Sequence, residues 1–596
     1  MFRLNPLVAI GAISSLSLWS TPLFAQVADS QSLFLAYPPD NHQTRSEQIF
    51  LIGSADPNIA VTLNGQPVER SSQGNFAPVL PLAVGENRIV IEAGSQTLER
   101  VITRQLDVPQ LPPGNGLVTD SLFPPVAISR SVNEPICFTA LAPTEAQVQV
   151  TLSGVTVPLT ANGQVVQLPA NNSLLYGENQ PQVAALEQYS GCQTFQEQSP
   201  GLLGTPEYQV QWQGKQQQTS AAGSVSLLNP DRPQVITVTT NPGVARTGPG
   251  TNYSRLTPLP QGTQAAVTGT TGEWLRLDYG GWIRASKTST LTSQIPPRSL
   301  IRSVGYRRLS NHTEFRFPLE RPIPVTVHQA GDRLRLTLHN TTAQTDTIRV
   351  DADPLLRSFS WQQLQPGQVT YDFQFKSAQQ WGYDLRYEGT TLVLALQHPP
   401  KLSRQRGDLT GIKILLDPGH GGKESGALGP TGYPEKDINL VISLALAEQL
   451  QARGAEVFLT RTTDKFVSLQ DRVAQMQQLQ PAIILSVHYN ALPDSGDPNK
   501  IKGISTFWYH PQSEGLAQYL QQSLVNQLDR DSQGVFFNSL AVIRPAIAPA
   551  VLLELGYMIH PQEFEWITDP QAQEALVGAL TTGVVDWFYQ QAQDSN

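Results

Sequence analysis

Hydrophobic and polar positions change their rhythm near residue 412. Before it, apolar residues recur at every second position in short runs such as NIAVTLNGQPVER, AQVQVTLSG, EYQVQWQG, DRLRLTLHN and TTLVLALQHPP, each bounded by Gly, Asn, Pro or Ser. A period of two sends alternate side chains to opposite faces, so these runs predict half-buried β-strands, and Asn64-Gly65 predicts a hairpin turn between two of them. Beyond it, short apolar runs alternate with longer segments of helical period. KILLD, AEVFLT, AIILSVH, ISTFWYH, LAVIR and AVLLEL predict strands; KDINLVISLALAEQLQAR, SLQDRVAQMQQL, GLAQYLQQSLVNQL and EALVGALTTGVVDWFYQQ predict helices. In the first helix Leu440, Leu444 and Ala447, flanked by Val441, Ala445 and Leu446, form the stripe expected to pack on the sheet.

Turn-rich breaks divide the β-region. Residues 30–105 resemble the small immunoglobulin-like sandwiches of bacterial surface proteins through LNGQPV, GNFAPVLPL and GENRIVIEA, and the linker LDVPQLPPGNG follows. Residues 117–229 are β-rich and hold both cysteines. Residues 235–290 resemble a bacterial SH3-type barrel through Val244, Arg246, Gly248, Pro249, Gly250, Tyr253, Gly262-Thr263, Trp274 and Gly281-Trp282-Ile283. That likeness implies a grip on wall or peptide ligands, but Trp274 and Trp282 serve equally well as the core of a small barrel. Residues 299–399 resemble the β-sandwich found ahead of bacterial cell-wall amidases, which holds them at the envelope; His312, His328, His339 and His398 are scattered through it without ligand spacing. The expected fold class is multidomain: several all-β domains, sandwiches and an SH3-like barrel, followed by a C-terminal α/β domain at 412–591 with a mostly parallel sheet and flanking helices.

Composition narrows the function classes. At 596 residues the chain exceeds any single core, and a net charge of −9 without a basic cluster excludes a nucleic-acid surface. Arg3, the apolar stretch Leu7 to Trp19 and the small residues near Ala25 predict a secretory signal over residues 1–25, an uncleaved anchor being the alternative. Export to the periplasm or elsewhere in the bacterial envelope follows. In such a compartment the two cysteines, Cys137 and Cys192, are candidates for one disulfide.

The chemistry gathers around KILLDPGHGG. Pro418-Gly419 ends an apolar strand abruptly and presents His420 at its C-terminal end, where open α/β sheets bind ligands. Glu435 opens the first helix, and His488 ends the strand AIILSVH. If strand order brings these three to one rim, two imidazole nitrogens and one carboxylate oxygen suit Zn²⁺ and leave a fourth position for water. Glu554 interrupts the apolar strand AVLLEL and is the candidate proton shuttle, a salt bridge to Arg544 being its other reading.

LLDPGHGG, EKDINL, LTRTTD, SLQDRV, SVHYNA and APAVLLELGYMIHPQE, in this order, strongly resemble the zinc-dependent N-acetylmuramoyl-L-alanine amidases of bacteria. The resemblance implies metal ligands at His420, Glu435 and His488, a catalytic glutamate at Glu554, Zn²⁺ as cofactor and peptidoglycan as substrate. Asp417 and Asn490 are expected to orient ligands, and Arg461, Asp464 and Arg472 to brace a loop against a helix. Tyr489 stands where the family has a small residue, so it either narrows the groove or faces away. One helix and a short loop fill the interval after ISTFWYH, where some family members fold an inserted helix over the metal, so no activator protein is expected to be required. Two other readings stay open: a zinc peptidase cutting within the stem peptide, and an inactive wall-binding scaffold.

Overall fold

The computed structural model describes residues 33–105, 111, 116–176, 179–349 and 353–594; the expected signal segment lies outside them. Residues 33–105 form small sheets around Ile49, Leu51, Phe76, Ile91 and Ile102, and Asn64 and Gly65, both at positive φ, turn the strand Val61–Leu63 back on Gln66–Pro67. In the next segment Cys137 and Cys192 face each other across antiparallel strands and are disulfide-bonded. Its strand Ile128–Ser131 pairs with Gln264–Thr271 of the following segment, so hydrogen bonding runs continuously across the expected boundary at 229–235. Trp274 and Trp282 are buried but lie outside that segment's aliphatic core, each beneath an arginine guanidinium, Arg284 at 5.2 Å and Arg276 at 5.9 Å. Residues 299–397 place two four-stranded sheets around Phe315, Phe317, Leu336, Tyr371, Phe373 and Leu394.

The C-terminal domain runs β1 (Lys413–Pro418), α1 (Glu435–Gln451), β2 (Glu456–Leu459), α2 (Leu469–Leu479), β3 (Ile483–Asn490), β4 (Ile504–Trp508), α3 (Pro511–Leu528), β5 (Ser532–Phe537), β6 (Ala550–Tyr557), α4 (Pro561–Thr568) and α5 (Pro570–Asp594). The sheet order is β2-β1-β3-β6-β4-β5; every pair is parallel except β4 with β6. Fully buried side chains fill both faces of the sheet, Ile414, Leu416, Leu485 and Val551 on one and Leu415 and Ile484 on the other, each worth about 1.5–3 kcal/mol on leaving water. No helix among the described residues is long and apolar enough to cross a membrane.

Three local expectations need correction. The packing face of α1 is Ile438, Ile442, Leu446 and Leu450, while Val441 and Leu444 remain 45% and 40% exposed. Its middle, Ile438 to Ala447, carries apolar residues on nearly every side, so the sequence leaves the rotation of the buried face open. LAVIR is not a strand: Ala541–Ile543 is a 3-10 turn running into Pro545, and the edge strand is Ser532–Phe537. Val542 and Ile543 are buried as core filling, which mimics a strand's pattern. The helix α4 was not foreseen, because its eight residues span little more than two turns, too short for an apolar period to stand out.

Candidate active site

β1, β3 and β6 are parallel neighbours, so their C-terminal ends share one rim. His420 follows β1, His488 lies near the end of β3, and Glu554 pairs in register with His488 across β3 and β6. Glu435 is the first residue of α1. Pro434 before it is extended, and acidic Glu435 and Asp437 in the first turn suit the positive end of the helix.

Two glycines make the convergence sterically feasible. A β-carbon on Gly419 would stand 2.2 Å from the His488 ring, and one on Gly426 2.4 Å from Glu435 Oε2. His420 itself is left-handed at φ 56°, a conformation that costs a non-glycine residue about 1 kcal/mol or more. Buried arginines hold that turn: Arg472 donates to the carbonyls of Pro418 (2.8 Å) and His420 (2.6 Å), and Arg461 to those of Pro418 (3.0 Å) and Gly419 (2.8 Å). Asp464 accepts from Gly422 N (2.7 Å) and pairs with Lys436 (2.6 Å).

The ligand atoms of His420, Glu435 and His488 lie within 4.8 Å of one another. His420 Nε2 is 3.2 Å from Glu435 Oε2, and His488 Nδ1 is 3.0 Å from Oε1 of the same carboxylate. Donors around a tetrahedral ion with bonds near 2.0–2.1 Å stand about 3.3 Å apart, so the spacing and the N, N, O donor set fit Zn²⁺. Three further groups fix the carboxylate: Asn439 Nδ2 (3.0 Å), Tyr489 N (3.1 Å) and Ala427 N (2.9 Å) all donate to it. Burial alone would raise the pKa of Glu435, but its bonds to His420 and His488 outweigh burial and hold it far below the carboxylate range. Burial likewise works against a charge on His420, and the Glu435 bond reverses that and raises it.

Glu554 Oε2 is buried and has no hydrogen-bond partner. Burial first, and the charge of Glu435 second, push this carboxyl well above its usual range. Arg544 instead donates to Ser539 and forms no ion pair with Glu554.

The roles expected of neighbouring residues divide. Asp417 does not touch an imidazole; it accepts from Thr460 (2.6 Å), Ser486 (2.8 Å) and Arg472 and anchors the arginine beneath the turn. The Asn490 side chain accepts from Ala491 N, so it too is no ligand partner. Tyr489 faces away from the groove into the core, and only its backbone reaches the site. Asn439 was missed; its signal was an amide one helical turn after Glu435 and between apolar neighbours Ile438 and Leu440, the spacing at which side chains meet.

Residues 414–586 match the family model described as N-acetylmuramoyl-L-alanine amidase. Probable cell wall amidase LytH of Staphylococcus aureus is 34% identical over 188 residues, which are 31% of this chain and 62% of that relative. The chain thus spans less than two-thirds of that relative's length. Among solved structures, the N-acetylmuramoyl-L-alanine amidase from Clostridium difficile 630 is 30% identical over 30% of this chain and 96% of its own, with a TM-score of 0.28. The catalytic domain of CwlV, from Bacillus (Paenibacillus) polymyxa var. colistinus, is 28% identical over 30% and 97%, also at 0.28. The likeness falls on the α/β part of the molecule, where residues 414–586 match the N-acetylmuramoyl-L-alanine amidase family model.

Proposed function

We propose that the chain is a peptidoglycan hydrolase that cleaves the amide between the lactyl group of N-acetylmuramic acid and the L-alanine of the stem peptide. The observation that carries this reading is a three-ligand cluster beside an unpartnered carboxyl oxygen, inside the domain that matches the amidase family. His420, Glu435 and His488 would hold Zn²⁺. When bound, that ion supplies Lewis acidity toward the scissile carbonyl and makes a water easier to deprotonate at neutral pH.

Glu554 Oε2 takes a proton from the attacking water and delivers it to the departing alanine nitrogen. The lactyl carbon gains a C–O bond and loses its C–N bond, which gives a carboxylate on the glycan and a free amine on the peptide. A raised pKa suits a group that must hold a proton part of the time near pH 7. Asn439 and the Tyr489 amide keep Glu435 oriented, and the arginine-braced turn keeps His420 in place. His420 is 31% exposed, so the site is open to solvent, which supports activity without an activator protein. Export to the envelope and a part in wall remodelling or cell separation complete the reading, with the β-domains raising local concentration on an insoluble polymer.

Digestion of purified peptidoglycan by the full chain, with and without a chelator, tests it by mass spectrometry. Intact stem peptides beginning with free L-alanine, formed only with zinc present, are the expected products. Cuts within the stem would replace the reading with a zinc peptidase, and no cleavage by zinc-loaded protein would leave the scaffold. Glu554→Ala should lower kcat by at least about 10²-fold while zinc content stays at the wild-type level.

A further inference from the structure

The N-terminal sandwich, residues 33–105, is seated on the catalytic domain, and each of its contacts named here falls on a segment leaving the catalytic rim. Asp494 lies six residues beyond His488. Its carboxylate accepts from the Tyr37 hydroxyl and meets His42 Nε2 at 2.9 Å, while Tyr37 Oη and His42 Nε2 are themselves 3.1 Å apart. On the same loop Gln48 Nε2 donates to the carbonyl of Ser495, and Asn499 Nδ2 donates to that of Ala77 (2.7 Å).

Past Glu554, Tyr557 and Ile559 form a closed apolar cluster with Phe50 and Ile52. Glu565, in α4, accepts from Ser72 Oγ (2.9 Å) and Gln73 N (3.0 Å). Between His420 and Glu435, Gly432 lies under Phe34, whose ring is 2.9 Å from where a β-carbon would stand. The sandwich therefore touches one segment leaving each of the three elements that carry His420, His488 and Glu554.

Phe34 is different in kind from the other contacts. Phe34 is 41% exposed although the tip of its ring meets Gly432, so an aromatic side chain stands partly open beside the loop that joins two ligand residues. Apolar ring faces of this kind pack against the carbon-bound hydrogens of a sugar, an arrangement with low entropic cost because the side chain has two torsions. A polymeric substrate running over the rim has this sandwich as a neighbour, because the sandwich touches the segments leaving the elements that carry His420, His488 and Glu554.

We propose that the N-terminal sandwich is a wall of the substrate groove, fixed to the rim by Asp494 and Glu565, and that Phe34 offers the sugar rings of a long peptidoglycan strand an aromatic face. This rests on the amidase reading and deepens it. Asp494 is a positioning residue: it holds the wall and touches no reacting atom.

The test compares the full chain with its Phe34→Ala variant on two substrates, intact glycan strands bearing stem peptides and a soluble single disaccharide-peptide. The ratio of kcat/KM on the strand to that on the small substrate should fall about five-fold in the variant, through KM. Asp494→Ala should move the ratio the same way, and Asp494→Asn, which keeps an acceptor for Tyr37, should recover part of the loss. An unchanged ratio in Phe34→Ala overturns the proposal. If wild type cleaves neither substrate, the amidase reading fails by itself. The wall is then decided by hydrogen exchange on the metal-free chain with glycan strands added: protection of residues 33–37 together with 421–434 supports it, and protection elsewhere only overturns it.

Discussion

The C-terminal α/β domain is gripped at two opposite ends, and the two grips use different chemistry. At the rim that carries His420, His488 and Glu554, the N-terminal sandwich meets it through carboxylates, Asp494 and Glu565, set in hydroxyl, imidazole and amide donors. At the other end of the sheet, the 299–397 sandwich meets it through neutral groups. Gln329 donates to Gln512 (3.0 Å), Tyr383 N donates to the carbonyl of Ala546 (2.8 Å), and Trp381 packs between Trp587 and Phe588. Ala546 precedes β6 and Gln512 lies in the first turn of α3, so this contact lies a strand length away from His420 and His488. The difference teaches that one junction sits beside the proposed site, while the other serves the integrity of the fold at the far end of the sheet.

The largest expected effect breaks the distal grip. Trp381→Ala removes a buried aromatic and should cost about 3–5 kcal/mol, seen as a lower denaturation midpoint for the linked domains, with kcat/KM per folded molecule kept. A loss of activity in the folded fraction would contradict the division. Asp494→Ala should cost less, about 1–3 kcal/mol from the partners it leaves unpaired, yet show the larger effect on polymer KM. Chemical denaturation and kinetics on the same preparation separate the two variants.

Acid should distinguish the grips as well. Burial holds His510, which meets the Arg544 carbonyl at the distal junction, below its ordinary value, so it is neutral when folded. The unfolded chain binds that proton as pH falls through about 6.5, and the stability His510 contributes is complete above that pH and declines below it. Asp494 runs the other way in charge. Burial would raise it, but bonds to Thr44, Tyr37 and His42 hold it below its ordinary value. Its contribution is complete above about pH 3.9 and is lost only as pH falls further, through the depressed folded value. Hydrogen exchange between pH 7 and pH 5 should therefore loosen residues 509–512 before residues 491–499; the reverse order would sink this assignment. The smallest effect is expected from Gln329→Ala, about 1 kcal/mol for an amide pair, read as a slight shift in the same denaturation curve.

Much of the candidate site was legible in the sequence because its residues sit at element ends. Pro418-Gly419 stops a buried strand, so His420 had to emerge there; His488 ends another strand, and Glu435 opens a helix. A glutamate inside an apolar strand demands a partner or a function, which singled out Glu554. The supporting groups were less legible. Asp417 looked placed to serve a ligand, but two elements deliver Arg472 and Thr460 to it first. Tyr489 alternates with His488 along β3, so its side chain goes to the opposite face of the sheet.

The sequence by itself determined the class of each region, the strand-to-helix change near residue 412, the pairing candidates Cys137 and Cys192, and the four residues of the proposed chemistry. These are local matters: side-chain period, turn residues and the cost of burying charge act over a few neighbours. Tertiary structure alone decided which face of α1 is buried, how Asn439 and the Tyr489 amide fix Glu435, and that residues 33–105 meet the rim across more than four hundred residues of chain. Contacts over such separations depend on the sum of many weak surface complementarities, and no periodicity or motif in either partner records that sum.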